Sequence, residues 1–357
     1  MSAARKILRE FKPTTLIVNE DGVSGPLHLI AVARDEGVGV LDVPFGYFSA
    51  AEFDGDLARK KAEGDLRTAD GAAGCVLRLF ASQWIRRDGP FAGAVMFDTD
   101  YLLALEAAGI TLRDAWTVHG GVSDRLCAES SRAMRMYVQE GIPPGKIALT
   151  GSPYCDFMVR AAADSGDARP DLLAPGPIEP GGPIRVLVSW PPSYHESLPG
   201  RSEFDSYEEM TRTILGFLRD LPGCTLTVSL HPAVGSGIRG MLHGAGVPVS
   251  DEYVIDLIPR NDVFVTYFSS TIRWATAAGK PVVNYDAYRI GLRIFDSGGF
   301  VSVRTFSDFR DVISELVSSA ETYRAYNERQ LAEAPEWGIL DGKCTARILT
   351  LARGLSS

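Results

Sequence analysis

Cysteines and long apolar runs are both scarce in this sequence, and their scarcity excludes several classes of protein. The five cysteines among 357 residues are scattered, and no two of them form a C-x-x-C pair. This disfavours a disulfide framework and a zinc site, and it indicates reduced thiols in a cytoplasm. No apolar run approaches the roughly 20 residues that span a bilayer. The first residues, Met1–Lys6, contain no apolar core of a signal peptide.

Positive charge is also in short supply, since 36 lysines and arginines face 45 aspartates and glutamates and the formal net charge is −9. A nucleic-acid surface is normally basic, so we expect no nucleic-acid partner. We also predict no metal and no bound cofactor. The expected location is the cytoplasm, with peripheral association at the inner face of the cytoplasmic membrane left open.

The length of 357 residues favours two domains over one. A segment rich in proline and glycine, residues 164–183, cannot hold a helix or a central strand and predicts a linker. We therefore expect an N-terminal domain over 1–163 and a C-terminal domain over 184–357.

Apolar strand-like runs alternate with helical patterns in both halves of the chain. This alternation is typical of parallel sheets covered by helices, so the predicted class is α/β, with two Rossmann-like domains facing a cleft and a helical C-terminal tail. The tail is expected over 307–355 with a break at Pro335. The predicted strands are Thr14–Asn19, Val38–Pro44, Ala92–Phe97, Asp114–Val118, Asp124–Glu129, Lys146–Thr150, Ile184–Ser189, Thr225–Leu230, Val247–Ser250, Asp262–Thr266 and Pro281–Asn284.

A pair of serines, Ser269-Ser270, lies between the predicted strand Asp262–Thr266 and a predicted helix that starts at Thr271. The free N–H groups and the positive dipole end of a helix start bind anions, and hydroxyls add donors for phosphate oxygens. An ordinary helix cap is the plainer interpretation of either serine alone. We predict that Ser269, Ser270 and Thr271 bind a phosphate.

The dipeptide His231-Pro232 ends the predicted strand Thr225–Leu230. Proline stops the strand, and an imidazole at that edge can pair with a departing phosphate or protonate it. A strand-end histidine satisfied by the backbone is the common alternative. We predict that His231 is catalytic and that both residues contact the nucleotide.

The acidic turn Glu20-Asp21-Gly22 ends the first predicted strand. Two adjacent carboxylates suit a base that deprotonates a sugar hydroxyl, and glycine lets the chain turn close to a ligand. An ordinary acidic turn is the more common origin of such a tripeptide. We predict that this acidic pair supplies a base and that Gly22 lies at the acceptor.

Other polar positions follow predicted strands and have weaker signals. Loops after strands rim the ligand site of doubly wound domains, so the nucleotide site is predicted to include Ser189, Pro192, Glu252 and Tyr253. The acceptor side is predicted to include His119 and Gly120, although a tight loop explains those two equally well.

Two segments resemble GT-B glycosyltransferases: 262–283, with its serine pair and Ala277-Ala278-Gly279-Lys280-Pro281, and 137–151. The order of the acidic pair with glycine, His-Pro and the serine pair resembles bacterial sialyltransferases and polysialyltransferases. The use of CMP sugars with a His-Pro element is similar to capsule Kdo transferases.

The resemblance implies a metal-independent glycosyltransferase that takes an acidic sugar, a sialic-acid-like nonulosonate or Kdo, from a CMP donor. The acceptor would be a glycan or glycoconjugate of bacterial surface polysaccharide. In that family the acidic motif supplies the base, and His-Pro and the serines hold the CMP phosphate. The resemblance implies that Asp21 is the base here and that Glu20 assists it. The alternatives are a UDP-sugar 2-epimerase, a teichoic-acid-type glycerophosphotransferase, similar over 231–286, and a binding protein without turnover.

Overall fold

The computed structural model describes residues 2–23, 25–46, 52–164, 182–291 and 293–355. The chain divides into two compact units, a first unit of Met1–Gly151 with Thr345–Ser357 and a second unit of Ser152–Cys344. No helix among the described residues is both long enough and apolar enough to cross a bilayer.

The helices and strands alternate along most of the chain. The helices are α1 (Ser2–Phe11), α2 (Leu27–Asp35), α3 (Glu52–Glu63), α4 (Gly71–Phe80), α5 (Thr99–Ala107), α6 (Ser131–Gln139), α7 (Pro153–Asp164), α8 (Tyr207–Asp220), α9 (Ser236–Gly244), α10 (Val254–Leu257), α11 (Ile272–Ala277), α12 (Phe306–Ser318), α13 (Ala320–Trp337) and α14 (Cys344–Gly354). The strands are β1 (Thr15–Val18), β2 (Gly39–Asp42), β3 (Arg125–Ala128), β4 (Ile147–Leu149), β5 (Ile184–Trp190), β6 (Cys224–Leu230), β7 (Val249–Ser250), β8 (Val263–Thr266), β9 (Val282–Tyr285) and β10 (Phe300–Val303).

Each unit contains one sheet whose paired strands all run parallel. The first sheet has the order β1-β2-β3-β4 and the second has the order β10-β9-β8-β5-β6-β7. Strands β8 and β9 read VFVT and VVNY, and every residue in them is buried. Continuous apolar runs are expected where helices cover both faces of a parallel sheet. The predicted α/β class with Rossmann-like units is confirmed.

In the second sheet, the order in which the chain adds strands reverses between β5 and β8. The chain runs outward from β5 through β6 to β7, then returns to β8 beside β5 and runs outward the other way through β9 to β10. Val186 pairs with Val263 in the central β5–β8 register. A crevice opens at the carboxyl ends of strands at such a switch point, where ligands of open α/β sheets bind.

The units divide differently from the predicted domains. Helix α7, expected at the end of the first domain, packs on α10 and belongs to the second unit. Helix α14, expected in the second domain, belongs to the first unit because Ile348 and Ala352 are buried with Leu41 and Cys127. Most of the predicted linker, residues 165–181, lies outside the described residues.

Two predicted strands of the first half are wrong. The segment 92–97 contributes only two isolated bridges, Thr68 with Ala94 and Ile85 with Val95. The segment 114–118 turns on itself, because the Asp114 side chain accepts a hydrogen bond from the Trp116 N–H and its carbonyl accepts one from Thr117. Strand β3 then pairs directly with β2.

The end of the chain is helical as predicted, but its break lies elsewhere. Helix α13 continues through Pro335 to Trp337, and the next helix, α14, begins at Cys344. Pro335 lies within the last turn of α13 and has no N–H to donate to the carbonyl four residues earlier, so the helix lacks that one bond but continues for two more residues. Strand β10 and helix α1 have no counterpart among the sequence predictions.

Candidate functional site

A cavity of about 540 Å³ opens at the carboxyl ends of strands β8, β5, β6 and β7 in the second unit. This volume lies in the range of small-molecule sites. We call it the switch-point pocket because it spans the reversal between β5 and β8. All the residues predicted for the nucleotide site line it, namely Ser189, Pro192, His231, Pro232, Glu252, Tyr253, Ser269, Ser270 and Thr271.

His231 follows β6, and its ring is held in one orientation by the loop that begins at Pro232. The Nδ1 atom of His231 accepts a hydrogen bond from the N–H of Ala233 at 3.1 Å. Because Nδ1 uses its lone pair in this bond, the proton of the neutral imidazole lies on Nε2. The His231 backbone N–H donates to the carbonyl of Trp190 at 2.9 Å, which fixes the turn beside β5. The exposed ring therefore offers an N–H donor at Nε2.

The serine loop, Phe268–Thr271, leaves β8 through a strained residue. Phe268 has a φ of 43°, in the left-handed region that non-glycine residues rarely adopt. Its N–H donates to the Asn284 side chain at 3.0 Å, which holds this conformation from the neighbouring strand β9. Strain of this kind costs on the order of 1–3 kcal/mol and is common at ligand-binding loops.

The hydroxyls of the serine loop form a short network. The hydroxyls of Ser269 and Thr271 lie 2.7 Å apart, and Ser269 Oγ also accepts from the Thr271 N–H at 3.2 Å. Thr271 Oγ1 lies 3.5 Å from Ser189 Oγ on β5. Below the loop, the buried guanidinium of Arg273 donates to the Ser270 carbonyl at 2.9 Å. The hydroxyls of the serine loop and of Ser189 on β5 are thus held close together at the switch point.

Two tyrosines hold the loop after β5 in place. Tyr267 donates from its hydroxyl to the carbonyls of Pro191 and Pro192, each at 3.2 Å, and Tyr207 donates to the Pro191 carbonyl at 2.7 Å. Burial raises the pKa of Tyr207 to about 12 and raises that of Tyr267 further. Both phenols therefore stay protonated, and both bonds persist, across the physiological pH range.

The carboxylates at the rim of the switch-point pocket are paired with arginines. Asp251 lies 2.6 Å from Arg239, and Glu252 forms an ion pair with Arg260. Paired carboxylates repel an incoming phosphate less than free ones would. The rim is therefore compatible with an anionic ligand even though the whole chain is acidic.

The acidic motif follows β1 in the first unit, as predicted, but Asp21 is not placed as the sequence suggested. Asp21 is fully buried, and its two carboxylate oxygens accept hydrogen bonds from the N–H groups of Gly121, Val122 and Ser123 at 2.7–3.1 Å. A base must offer a lone pair to its substrate, whereas Asp21 offers its oxygens to the backbone. Its observed role is to anchor this loop; Glu20 beside it is half-buried.

Gly22 completes the same turn, and its lack of a side chain is required. A Cβ at Gly22 would lie 2.2 Å from the Thr117 carbonyl oxygen and 2.8 Å from that of Val118. The Gly22 N–H donates to the Val118 carbonyl at 3.0 Å. The close approach brings the loop that carries His119 against the acidic motif.

A buried dyad of Asp42 and His119 lies at the carboxyl end of β2 in the first unit. His119 Nδ1 is 3.1 Å from Asp42 Oδ2, which also accepts from the Gly120 N–H at 3.3 Å. His119 is 1% exposed and Asp42 is 0% exposed. Neither His119 Nε2 nor Asp42 Oδ1 has a hydrogen-bond partner within the part of the chain that the structure describes. His119 Nε2 is therefore a buried atom whose lone pair, or whose proton in the other tautomer, takes part in no hydrogen bond.

The ionisation of the dyad is shifted toward its protonated forms. Burial raises the pKa of Asp42 to about 6, although the hydrogen bond to His119 opposes this rise. Burial would lower the pKa of His119, but the bond to Asp42 and the charges of Asp42, Asp21 and Glu20 outweigh burial and raise it. The dyad and the acidic motif are therefore electrostatically coupled.

Sequence reasoning missed Asp42, although a signal was present. Asp42 is an acidic residue inside the apolar run Val38–Pro44, near the carboxyl end of a strand that was correctly predicted. A charged residue in such a run needs a buried partner. No feature of the sequence identifies His119, 77 residues later, as that partner.

Comparisons with known proteins relate the fold to solved structures. No family model and no curated protein matches the chain. A UDP-N-acetylglucosamine 2-epimerase structure aligns with a TM-score of 0.52 and 14% identity, over 98% of this chain and 74% of that chain. The S. aureus MnaA–UDP structure aligns with a TM-score of 0.56 and 13% identity, over 98% of this chain and 77% of that chain. The fold is of the GT-B type.

Two further solved structures align at similarly low sequence identity. The UDP-GlcNAc 2-epimerase from Neisseria meningitidis bound to UDP-GlcNAc aligns with a TM-score of 0.53 and 16% identity, over 99% of this chain and 80% of that chain. The wall teichoic acid polymerase TagF aligns with a TM-score of 0.46 and 17% identity, over 66% of this chain and 58% of that chain. The three alignments with TM-scores above 0.5 establish the GT-B fold and leave the activity to be argued from the site.

Proposed function

We propose that this protein is an enzyme that binds a nucleotide sugar in the switch-point pocket and transfers the sugar to an acceptor hydroxyl. One observation carries the proposal. His231 and the hydroxyls of Ser269, Ser270 and Thr271 line one cavity at the switch point of a parallel sheet, together with Ser189. N–H and O–H donors that converge in such a crevice suit the phosphate of a nucleotide.

In the proposed reaction, the bond between the anomeric carbon and the phosphate oxygen breaks, and its electron pair goes to the phosphate. The Nε2–H of His231 donates to the oxygen on which charge develops, and the hydroxyls of the serine loop donate to the other phosphate oxygens. Donors held in place before the reaction stabilise this charge without reorganisation. The bonds that orient His231 and the serine loop supply that rigidity.

The proton of the acceptor hydroxyl needs a base, and we assign this role to His119 rather than Asp21. Asp42 accepts from Nδ1–H and leaves the lone pair of Nε2 to take the proton, as in a Ser-His-Asp triad. The charges of Asp21 and Glu20 favour the imidazolium that forms. In this assignment the acidic motif supports the base and anchors its loop.

The donor that we propose remains a CMP-linked acidic sugar, of the nonulosonate or Kdo type. The second candidate is 2-epimerisation of a UDP-sugar, which is favoured by the GT-B neighbours solved with UDP and with UDP-GlcNAc. The two candidates differ in the nucleotide and in the need for an acceptor. Both use the switch-point pocket for the phosphate.

Calorimetric titration of the full chain with CMP, CDP, UDP and GDP tests the pocket and the donor together. We expect CMP to bind most tightly, and the Ser269→Ala/Ser270→Ala variant to bind it roughly 10–100-fold more weakly, as hydrogen bonds to charged groups are worth about 1.5–3 kcal/mol. Ser193→Ala is the matched control, since Ser193 lies in the loop after β5 but does not line the pocket.

The outcomes of this titration separate the candidates. Binding of UDP without CMP removes the CMP donor and favours the epimerase, which incubation of UDP-GlcNAc with the protein and no acceptor then checks by the appearance of the C2 epimer. Binding of no nucleotide, or equal weakening by Ser193→Ala, contradicts the proposed pocket.

A further inference from the structure

Helix α1 buries only part of its apolar stripe against the first unit. Ala4 and Leu8 are buried in a core cluster with residues of α2 and β2. Ile7 and Phe11, which share a face because they are four residues apart, are 46% and 72% exposed. On a helical wheel this pair lies beside Ala4 and Leu8, so one stripe continues from the core into solvent.

The same helix carries positive charge in an otherwise acidic protein. Arg5, Lys6, Arg9 and Lys12 are all exposed, against one acidic residue, Glu10. The whole chain has a formal net charge of −9. Arg5 approaches Asp35 only to 3.6 Å, in a pair with both side chains about half exposed. Helix α1 and Lys12 thus combine an exposed apolar pair with a surplus of cations.

We infer that α1 is a docking element for a lipid surface that contains anionic headgroups. Ile7 and Phe11 would enter the boundary between headgroups and acyl chains, and the lysines and arginines on the polar side of the same helix would contact lipid phosphates. A short amphipathic helix with an apolar face and basic flanks binds in this way, with a strength set by both terms. This inference is independent of the nucleotide site proposed for the second unit.

The size and the charge of the surface favour lipid over a protein partner. A stable protein interface buries about 800 Å² on each side, and two exposed apolar side chains supply a small part of that area. The four cations against one carboxylate on this segment also match a uniformly anionic surface better than the mixed rim of a protein interface.

Helix α4 provides an internal comparison. Leu79 and Phe80 are 78% and 80% exposed, so they are at least as apolar and as exposed as Ile7 and Phe11. However, the only basic residue of α4 is Arg78, which lies 3.9 Å from Asp70. If apolar exposure alone governed lipid binding, α4 would bind as well as α1.

Vesicle co-sedimentation of the full chain tests the inference. We expect binding to phosphatidylcholine vesicles that contain phosphatidylglycerol, weaker binding to phosphatidylcholine alone, and loss of binding at high salt as the charges are screened. Ile7→Ser/Phe11→Ser and Lys6→Glu/Arg9→Glu should each lower the partition coefficient at least about tenfold. Leu79→Ser/Phe80→Ser should leave it unchanged.

Several outcomes would overturn the inference. These are failure of the wild type to bind phosphatidylglycerol vesicles, equal loss in the α4 variant, and concentration-dependent self-association that Ile7→Ser/Phe11→Ser abolishes while vesicle binding persists. Thermal unfolding verifies that each variant is folded. Nucleotide titration on the same samples should be unchanged, so failure of lipid docking is distinct from failure of the proposed pocket.

Discussion

Two histidines have complementary arrangements, each set by the partner of its Nδ1 atom. In His231 the Nδ1 accepts from a backbone N–H, which leaves Nε2 as a donor. In His119 the Nδ1 faces a carboxylate, which leaves the Nε2 lone pair as an acceptor. In the proposed reaction, one imidazole stabilises an anion and the other takes up a proton.

Substitution of His231 tests the donor role. We expect His231→Ala to weaken nucleotide binding about tenfold or more, because a hydrogen bond to a charged phosphate is lost. His231→Gln should recover most of the affinity, since the amide of glutamine can place an N–H near the position of Nε2. Calorimetry measures both, with the exposed His243→Ala as control. Equal binding by the wild type and His231→Ala would contradict the assignment.

The buried dyad should leave a signature in the pH dependence of stability. The pKa of Asp42 rises from 3.8 to about 6 on folding, and that of His119 rises above 6.5. The folded state therefore binds more protons than the unfolded state, so the contribution of the dyad is greatest at low pH. The contribution of Asp42 is lost as the pH rises through about 6, and the contribution of His119 is lost at a pH above 6.5.

Urea unfolding of the wild type and Asp42→Asn/His119→Gln from about pH 4 to pH 9 measures this contribution. We expect the unfolding free energy of the wild type minus that of the variant to fall with rising pH by roughly 1–3 kcal/mol. Asp100→Asn/His28→Gln, at exposed positions of the same unit, is the matched control for the two substitutions. A difference that is flat or that grows with pH would contradict the pKa directions.

At the scale of elements, the proposed nucleotide site is formed largely by the loops that follow strands. The strands β5, β6 and β8 were predicted from apolar runs, and each ends at the residues expected to bind the nucleotide. The segment Ser206-Tyr207-Glu208-Glu209 matches a capping box in sequence, and Ser206 Oγ accepts from the Glu209 N–H at 3.1 Å. Local patterns sufficed here because burial on both faces of a parallel sheet demands them.

Local patterns failed where a segment obtains its hydrogen bonds from distant parts of the chain. The segment 114–118 was predicted as a strand that ends at His119, yet 114–123 is a loop held by hydrogen bonds to Asp21 and Asp42. Its backbone partners are carboxylates about 80–100 residues away. The alternation of apolar and polar residues along a segment cannot reveal such partners, because they depend on where β1 and β2 lie in the folded chain.

The turn at Gly22 tests how tightly this loop is packed. We expect Gly22→Ala to lower the unfolding free energy of the first unit by roughly 1–3 kcal/mol, because the new Cβ would meet two backbone carbonyls that cannot easily move. Gly55→Ala in α3 is the matched control; a Cβ there meets nothing within 4 Å. Alanine in a helix interior should stabilise by about 0.5–1 kcal/mol. Urea titration distinguishes the two.

At the scale of the whole molecule, the end of the chain completes the unit in which the chain begins. Helix α14 returns to the first unit, where the hydroxyl of Thr15 donates to the carbonyl of Ala352 at 2.8 Å. Arg347 donates to the carbonyl of Thr150 at 2.7 Å. The second unit is therefore one continuous stretch of chain, and the first is assembled from two.

Substitutions in α14 test this division. We expect Ile348→Ala to destabilise the first unit by about 2–4 kcal/mol, since Ile348 is 5% exposed and is buried with Leu41 and Cys127. Leu349→Ala, at a site that is 45% exposed, should cost less than about 1 kcal/mol. Hydrogen exchange in β2 and β3 measures the effect. Unchanged exchange in Ile348→Ala would contradict the assignment of α14 to the first unit.

The sequence by itself determined the α/β class, the strands of the second unit, and the loops that gather around the switch-point pocket. Each of these follows from local rules, because a buried parallel strand must be apolar and must end at a turn. Only the tertiary structure decided that Asp21 is occupied by three backbone amides, that Asp42 pairs with His119, and that α14 belongs to the first unit. These depend on which distant groups become neighbours, and a buried polar or apolar group takes whichever partner the folded chain brings within reach.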